Sequence, residues 1–286
     1  MRLKIQKWDP SKIKPHRIIL LIGRRGTGKS SMMEDILFHI APGIDIALAM
    51  SPTEESLGMF RNHMPEPWLF NGFSQSKVEE MIEMQRSMAH QSKAKSILLA
   101  LDDCLYEKSI MRSTAMRNIH MNGRHLHVTM INAAQYLVDI DPALRTQIDY
   151  VVCLKENIWT NRQRLHRFFF GCFHSFEEFS RVLEKVTENY GALVLDNTAT
   201  SSNLSDCIYW YRASLNLPSY RIGRPIFWKL AERYAKTREQ ADRDRRQMSS
   251  NPRAGKGREK LTCVQRKDEH GRVLPEDRDG DVMMLC

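Results

Sequence analysis

The chain has 286 residues, 42% of them hydrophobic, which is enough for one large or two small domains with a sizeable core. Forty-three Lys/Arg against 34 Asp/Glu give a net charge of +9, a balance that favours an acidic partner such as nucleic acid or an anionic surface. The six cysteines (Cys104, Cys153, Cys172, Cys207, Cys263 and Cys286) contain no CxxC pair and no zinc-finger spacing with histidine, which speaks against a zinc module or a disulfide scaffold and for reduced, mostly buried thiols.

Segment 17–22 (RIILLI) predicts a strand that runs straight into the glycine loop GRRGTGKS at 23–30. Segment 30–40 then has helical spacing, with Met33, Ile36, Leu37 and Ile40 on one side. Segment 44–50 (IDIALAM) reads as a second strand, closed by the turn-rich SPTEES, and 75–94 as a helix. Segment 96–101 (SILLAL) is a third buried strand ending in Asp102-Asp103. A helix over 109–121 leads through NGRH to a strand at 126–132, on which His125 and His127 share a face, although two histidines alone make a poor metal site. A further strand at 148–154, helices at 159–170 and 176–189, and extra strands at 191–195 and 207–211 follow, without an internal repeat.

Strands alternating with helices predict an α/β fold with a central, mostly parallel sheet flanked by helices, plus extra C-terminal strands and helices. Residues 233–267 hold 12 Lys/Arg against 4 Asp/Glu, a composition that cannot build a core. The expected division is a domain over 1–232 and a basic tail over 233–286, helical for a few turns from Pro225 and then flexible. MRLKIQKWDPSK lacks the apolar run of a signal peptide and no transmembrane segment is expected, so a soluble, intracellular protein is expected.

Gly23-x4-Gly28-Lys29-Ser30 fits the phosphate-loop pattern between a strand and a helix. Glycines let successive backbone N–H groups point inward around phosphate oxygens, and the following helix adds its positive end. Gly23, Arg24, Arg25, Gly26, Thr27, Gly28, Lys29, Ser30 and Ser31 form the predicted phosphate-binding set. Lys29 is expected to neutralise the β- and γ-phosphates and the Ser30 hydroxyl to ligate Mg²⁺. The matching acidic strand end is Asp102-Asp103: Asp102 to hold Mg²⁺ through water, Asp103 to orient and deprotonate the attacking water. Asn132 and Gln135 are sensor candidates after the intervening strand, with Gln135 favoured. Arg145, before the next strand, is a candidate arginine finger for a neighbouring subunit's nucleotide, and Arg124 competes for that role.

Together, GRRGTGKS, SPTEES, LLALDDC (98–104), MNGRHLHVTMINAAQY (121–136), DPALRTQIDYVVCLKEN (141–157) and TENYGALVLDN (187–197) resemble the genome-packaging ATPases of nucleocytoplasmic large DNA viruses, a branch of the FtsK/HerA motors. The likeness runs from about residue 15 to about residue 230. It implies a RecA-like P-loop core of the ASCE type that binds ATP and Mg²⁺. It further implies assembly as a homo-oligomeric ring (pentamer or hexamer) around double-stranded DNA, with DNA-stimulated ATP hydrolysis in the host cell cytoplasm and a capsid or inner-membrane protein as docking partner. Lys29 and Ser30 then match the Walker A residues, Asp102 and Asp103 the Walker B residues, Gln135 the sensor and Arg145 the trans-acting finger. Arg24 and Arg25, at variable loop positions, face phosphate, solvent or a neighbouring subunit. The rival readings are a nucleoside- or nucleotide-kinase-like phosphotransferase and a non-translocating ATP-binding nucleic-acid scaffold. Arg112, Arg117 and the cluster at 160–167 are candidate DNA contacts, set against the plainer reading of solvated helix faces.

Overall fold

A computed structural model describes residues 4–91, 93–104, 108–135, 140–201 and 203–235. In chain order, β1 (Gln6–Lys7) precedes β2 (Ile18–Ile22), whose five residues IILLI are all buried. The glycine loop then turns into α1 (Lys29–Ile40). Next come β3 (Ile46–Ser51), α2 (Glu54–Arg61), the short β4 (Leu69–Asn71), α3 (Gln75–His90) and β5 (Ile97–Asp102). After α4 (Lys108–Arg112) and α5 (Thr114–Asn122), β6 (Val128–Ala134) leads to α6 (Pro142–Arg145) and β7 (Tyr150–Cys153). The chain continues through α7 (Trp159–Phe168), α8 (Phe176–Val186), β8 (Gly191–Asp196), α9 (Leu204–Cys207), β9 (Ile208–Arg212) and α10 (225–235).

Among the described residues the strands form one sheet in the order β1-β9-β8-β7-β2-β6-β5-β3-β4. Every neighbouring pair is parallel except the two made by β8, which runs against both β7 and β9. The fold is therefore the expected one: a mostly parallel sheet flanked by helices, of the P-loop ASCE type. The site sits where that order requires, because β2 occupies the middle and the loop after it opens at the carboxyl edge of the parallel strands.

Alternation along the central strands sends side chains into two cores. Ile18, Leu20 and Ile22 join a cluster with Met81, Ile82, Met116, Ile119, Leu165 and Phe179 from α3, α5, α7 and α8. Ile19 and Leu21 face the opposite way, onto Met32, Met33, Ile36 and Leu37 of α1 and Phe227 of α10. On this second face the flanking strands present Ala47, Ala49, Ala100 and Ala133, small side chains that let α1 lie close to the sheet. Buried apolar strands of this kind carry most of the driving force for folding, at roughly 25 cal/mol per Å² of apolar surface removed from water.

Several expectations shift in detail. The helix expected over 109–121 is two helices, because Ser113 caps the second: its hydroxyl accepts from Met116 N at 3.3 Å. The strand expected at 126–132 is β6 at Val128–Ala134, so His125 and His127 lie in the preceding turn and not on a strand. His127 (φ 53°) instead stacks on His16 (φ 57°), with ring centroids 4.6 Å apart. The tail expected from 233 onward lies, from residue 236, outside the described residues, as do Cys263 and Cys286. Cys104, Cys153 and Cys207 are buried and Cys172 is exposed, all free thiols. Among the described residues no helix is long and apolar enough to cross a membrane, and no group of three or more His, Cys, Asp or Glu could hold a metal.

Candidate functional site

The glycine loop leaves β2 at Ile22 and must reverse within a few residues. Gly26 (φ 79°) and Gly28 (φ 89°) hold left-handed conformations that a side chain would strain, and Gly28 is the residue from which α1 starts. A turn closes the loop, with Thr27 N and Oγ1 both donating to Arg24 O, at 3.3 and 2.7 Å. The first N–H groups of α1 and its positive end therefore face the cavity. That cavity, about 380 Å³, is lined by Arg24, Arg25, Gly26, Gly28, Lys29, Ser30 and Ser31. Asp102, Asp103 and Gln135 also line it, as do Thr53, Glu55 and Ser56.

Lys29 is only 8% exposed, an unusual place for an ammonium. It is held by the two acids, pairing with Asp103 Oδ1 and lying 3.7 Å from Asp102 Oδ1. Asp103 stands just beyond β5 with φ 51°, a left-handed turn that swings its carboxylate back over the loop. Its other oxygen accepts from Gln135 Nε2 at 2.6 Å. Asp102, the last residue of β5, is 3% exposed. Its Oδ2 accepts from Ser56 Oγ at 2.5 Å, while its buried Oδ1 accepts no hydrogen bond. Burial pushes the Asp102 carboxyl above its usual value, against the opposite pull of the Ser56 hydroxyl and the Lys29 ammonium.

A buried carboxylate oxygen without a donor, in a cavity that Ser30 also lines, fits a hard cation held by oxygen. Ser30 and Asp102 are thus the residues suited to Mg²⁺, and Lys29 with the loop N–H groups suits phosphate.

Ten of the predicted residues therefore meet in one cavity: Arg24, Arg25, Gly26, Gly28, Lys29, Ser30, Ser31, Asp102, Asp103 and Gln135, with Arg24 and Arg25 exposed. Arg145 lies elsewhere, with its guanidinium carbon 3.9 Å above the Phe168 ring and its buried Nε without a hydrogen bond. Arg124 pairs with the buried Asp149 at 2.5 Å. Asn132 is buried in β6, and its neighbours Ile131 and Ala133 point to the α1 face, so it faces the other core and not the cavity. Ser56 had no role assigned from sequence. The block SPTEES stood out as a turn, but its serine reaches Asp102 only because β3 lies beside β5.

Fold and loop together are those of the P-loop ASCE NTPase fold, with a Walker-type lysine and paired strand-end carboxylates. No family model matches the chain. The chain does belong to the family of the uncharacterized protein 088R of Invertebrate iridescent virus 3, with which it is 30% identical over 195 residues, 68% of this chain and 75% of that protein. It is also 29% identical over 216 residues to the uncharacterized protein 015R of Frog virus 3 (isolate Goorha), covering 74% of this chain and 67% of the relative. Among solved structures it resembles the genome packaging NTPase B204 from Sulfolobus turreted icosahedral virus 2 in complex with AMP, with a TM-score of 0.51 and 17% identity over 71% of this chain and all of that one. At that identity the likeness is one of fold.

Proposed function

We propose that the protein is an ATP-hydrolysing motor that translocates double-stranded DNA and packages a viral genome. The observation that carries this reading is the convergence of Lys29, Asp102, Asp103 and Gln135 on one cavity at the mouth of the glycine loop. The sequence likeness to viral packaging ATPases, the net charge of +9 and the fold shared with a genome packaging NTPase support it. The kinase-like alternative requires an arginine-rich lid, of which the sequence shows no clear sign.

In this reading the triphosphate lies along the loop N–H groups, and Lys29 exchanges Asp103 for the β- and γ-phosphate oxygens. Asp103 Oδ1 is thereby freed to take a proton from the attacking water, while Gln135 holds the carboxylate in place from its other oxygen. The water oxygen bonds to the γ-phosphorus, the bond to the β-bridging oxygen breaks, and ADP leaves as that oxygen takes up the charge. Mg²⁺, held by Ser30 and by Asp102 through water, supplies charge neutralisation on the phosphate oxygens when bound. Arg145 acts in trans, from a neighbouring subunit of a ring formed in the host cell cytoplasm, and a capsid or inner-membrane protein docks the ring.

ATP hydrolysis by the purified chain, with and without double-stranded DNA and with Asp103→Asn as the blank, tests the reading. Turnover that rises with DNA and vanishes in the variant is the expected result. Turnover indifferent to DNA but dependent on a nucleoside acceptor would replace the motor with a phosphotransferase. For the ring, mixing Lys29→Ala subunits into wild-type protein is expected to depress activity more than in proportion, and strictly proportional loss would count against coordination.

A further inference from the structure

Tyr190 sits at the glycine loop, yet the chemistry above does not use it. It is 68% exposed, and among the described residues its hydroxyl makes no hydrogen bond and its ring no aromatic pair. It lies against the loop: a Cβ built on Gly28 would be 3.3 Å from Tyr190 Cδ1 and 3.6 Å from its Cβ. The backbone that puts it there is strained, with Asn189 (φ 51°) and Tyr190 (φ 61°) both left-handed, a rare pair for residues that are not glycine.

The turn is held on both sides. Before it, Thr187 Oγ1 donates to Leu183 O at 2.7 Å in the buried end of α8. After it, Gly191 starts β8 so close to α8 that a Cβ there would meet Val186 O at 2.1 Å. An exposed aromatic ring on a rigid, strained turn is a surface prepared for something to lie on.

Strand order says what. The carboxylates stand on β5 and the amide follows β6, both on one side of β2, whereas Tyr190 comes from the start of β8, two strands away on the other side. Because β8 alone is reversed, its first residue is at the same sheet edge as the carboxyl ends of β2, β5 and β7. At about 4.8 Å per strand, β5 and β8 are roughly 19 Å apart with the glycine loop between them. A chain of phosphates with its terminal group at Lys29 and Asp103, laid along the loop away from β5, would carry its sugar and base toward β8.

We infer that Tyr190 is the base-stacking residue of the nucleotide site, an aromatic platform that favours a nucleoside triphosphate over inorganic polyphosphate. This inference rests on the nucleotide reading of the same cavity.

Calorimetric titration of the full chain with ADP and with inorganic tripolyphosphate separates the two. Tyr190→Ala is expected to weaken ADP about tenfold, the scale of a base–aromatic stack, and to leave tripolyphosphate unchanged. Tyr190→Phe should keep wild-type affinity for both, and Tyr190→Trp should gain a fluorescence change with ADP that tripolyphosphate does not produce. If Tyr190→Ala and Tyr190→Trp bind ADP as the wild type does, with no new fluorescence signal, the platform is overturned while the nucleotide site stands. Equal loss of ADP and tripolyphosphate in Tyr190→Ala, with normal circular dichroism, overturns it in favour of a loop-bracing role. If the wild type binds neither probe, or binds both as well after Lys29→Ala, the nucleotide reading itself fails and takes the inference with it.

Discussion

Gln135 Nε2 lies 2.6 Å from Asp103 Oδ2, on the oxygen that Lys29 leaves free. The amide thus aims the carboxylate and, among the described residues, makes no hydrogen bond to the glycine loop. Gln135→Ala is expected to lower the turnover of ATP by about 10²-fold, within the span usual for a displaced general base, and to change nucleotide affinity by less than about threefold. Steady-state hydrolysis together with calorimetric binding checks this. A weakened affinity with unchanged turnover would move Gln135 from the base to the phosphates.

Asp102 presents the opposite case, a charge buried at a cost to the empty protein. Its Oδ1 accepts no hydrogen bond and burial already disfavours its ionised form. Asp102→Asn should therefore abolish hydrolysis and yet raise the melting temperature of the nucleotide-free protein by roughly 2–4 °C, equivalent to about 1 kcal/mol. Ser56→Ala removes the donor on Oδ2 and should lower stability by about 1–3 kcal/mol, an effect that shrinks when Asp102 is already Asn. Thermal melts of the two single variants and the double variant measure the coupling.

Gly23 is required by space and not by backbone conformation. A Cβ there would lie 2.6 Å from Leu154 Cδ1, 2.7 Å from Thr27 Oγ1 and 2.9 Å from Leu154 Cβ. Gly23→Ala is expected to cost about 1–3 kcal/mol by overpacking and to weaken phosphate binding, since Thr27 closes the loop turn. Leu154→Ala in the same chain makes room and should restore part of the binding, which a tripolyphosphate titration reads directly.

At the opposite edge of the sheet, desolvation, then His127 and Arg17, hold the His16 imidazole below its ordinary value of 6.5. The folded state then binds fewer protons than the unfolded chain as pH falls through that range. The stability His16 contributes is complete above 6.5 and is lost on acidification below it. His16→Asn keeps a residue tolerant of φ 57° and removes the titration, so the variant should gain on the wild type as the pH drops. Melting curves of both proteins between about pH 8 and pH 5 test this, and parallel curves would exclude it.

What could be read from the sequence was local. RIILLI, GRRGTGKS and SSMMEDILFHI announced strand, loop and helix because each signal lies within one element, and LLALDD marked the acidic strand end for the same reason. The strands β1 and β4, of two and three residues, are too short to show any period. Ser56 against Asp102 and Tyr190 against Gly28 are neighbours only through the order in which distant strands pair, which no window of residues contains. Arg145 stands before β7 as read from the sequence; within its own chain its guanidinium lies over the Phe168 ring, and a role toward a neighbouring subunit is a property of the assembly that no single chain displays.

The far edge of the sheet joins the first strand to the last: Gln6 pairs with Tyr209, Lys7 with Trp210, and Trp8 N donates to Trp210 O at 2.9 Å. On the ribosome, residues 6–8 therefore emerge early and wait until almost the whole sheet has been translated before their partners exist. Trp8, which ends between Tyr150 and Tyr211, gains its second ring neighbour only then. Closing so long a loop adds little to its entropic cost, which grows only as the logarithm of length, but it delays the event. Strand β1 thus completes its edge of the sheet only after β9 has been made, although it precedes every other strand in the chain.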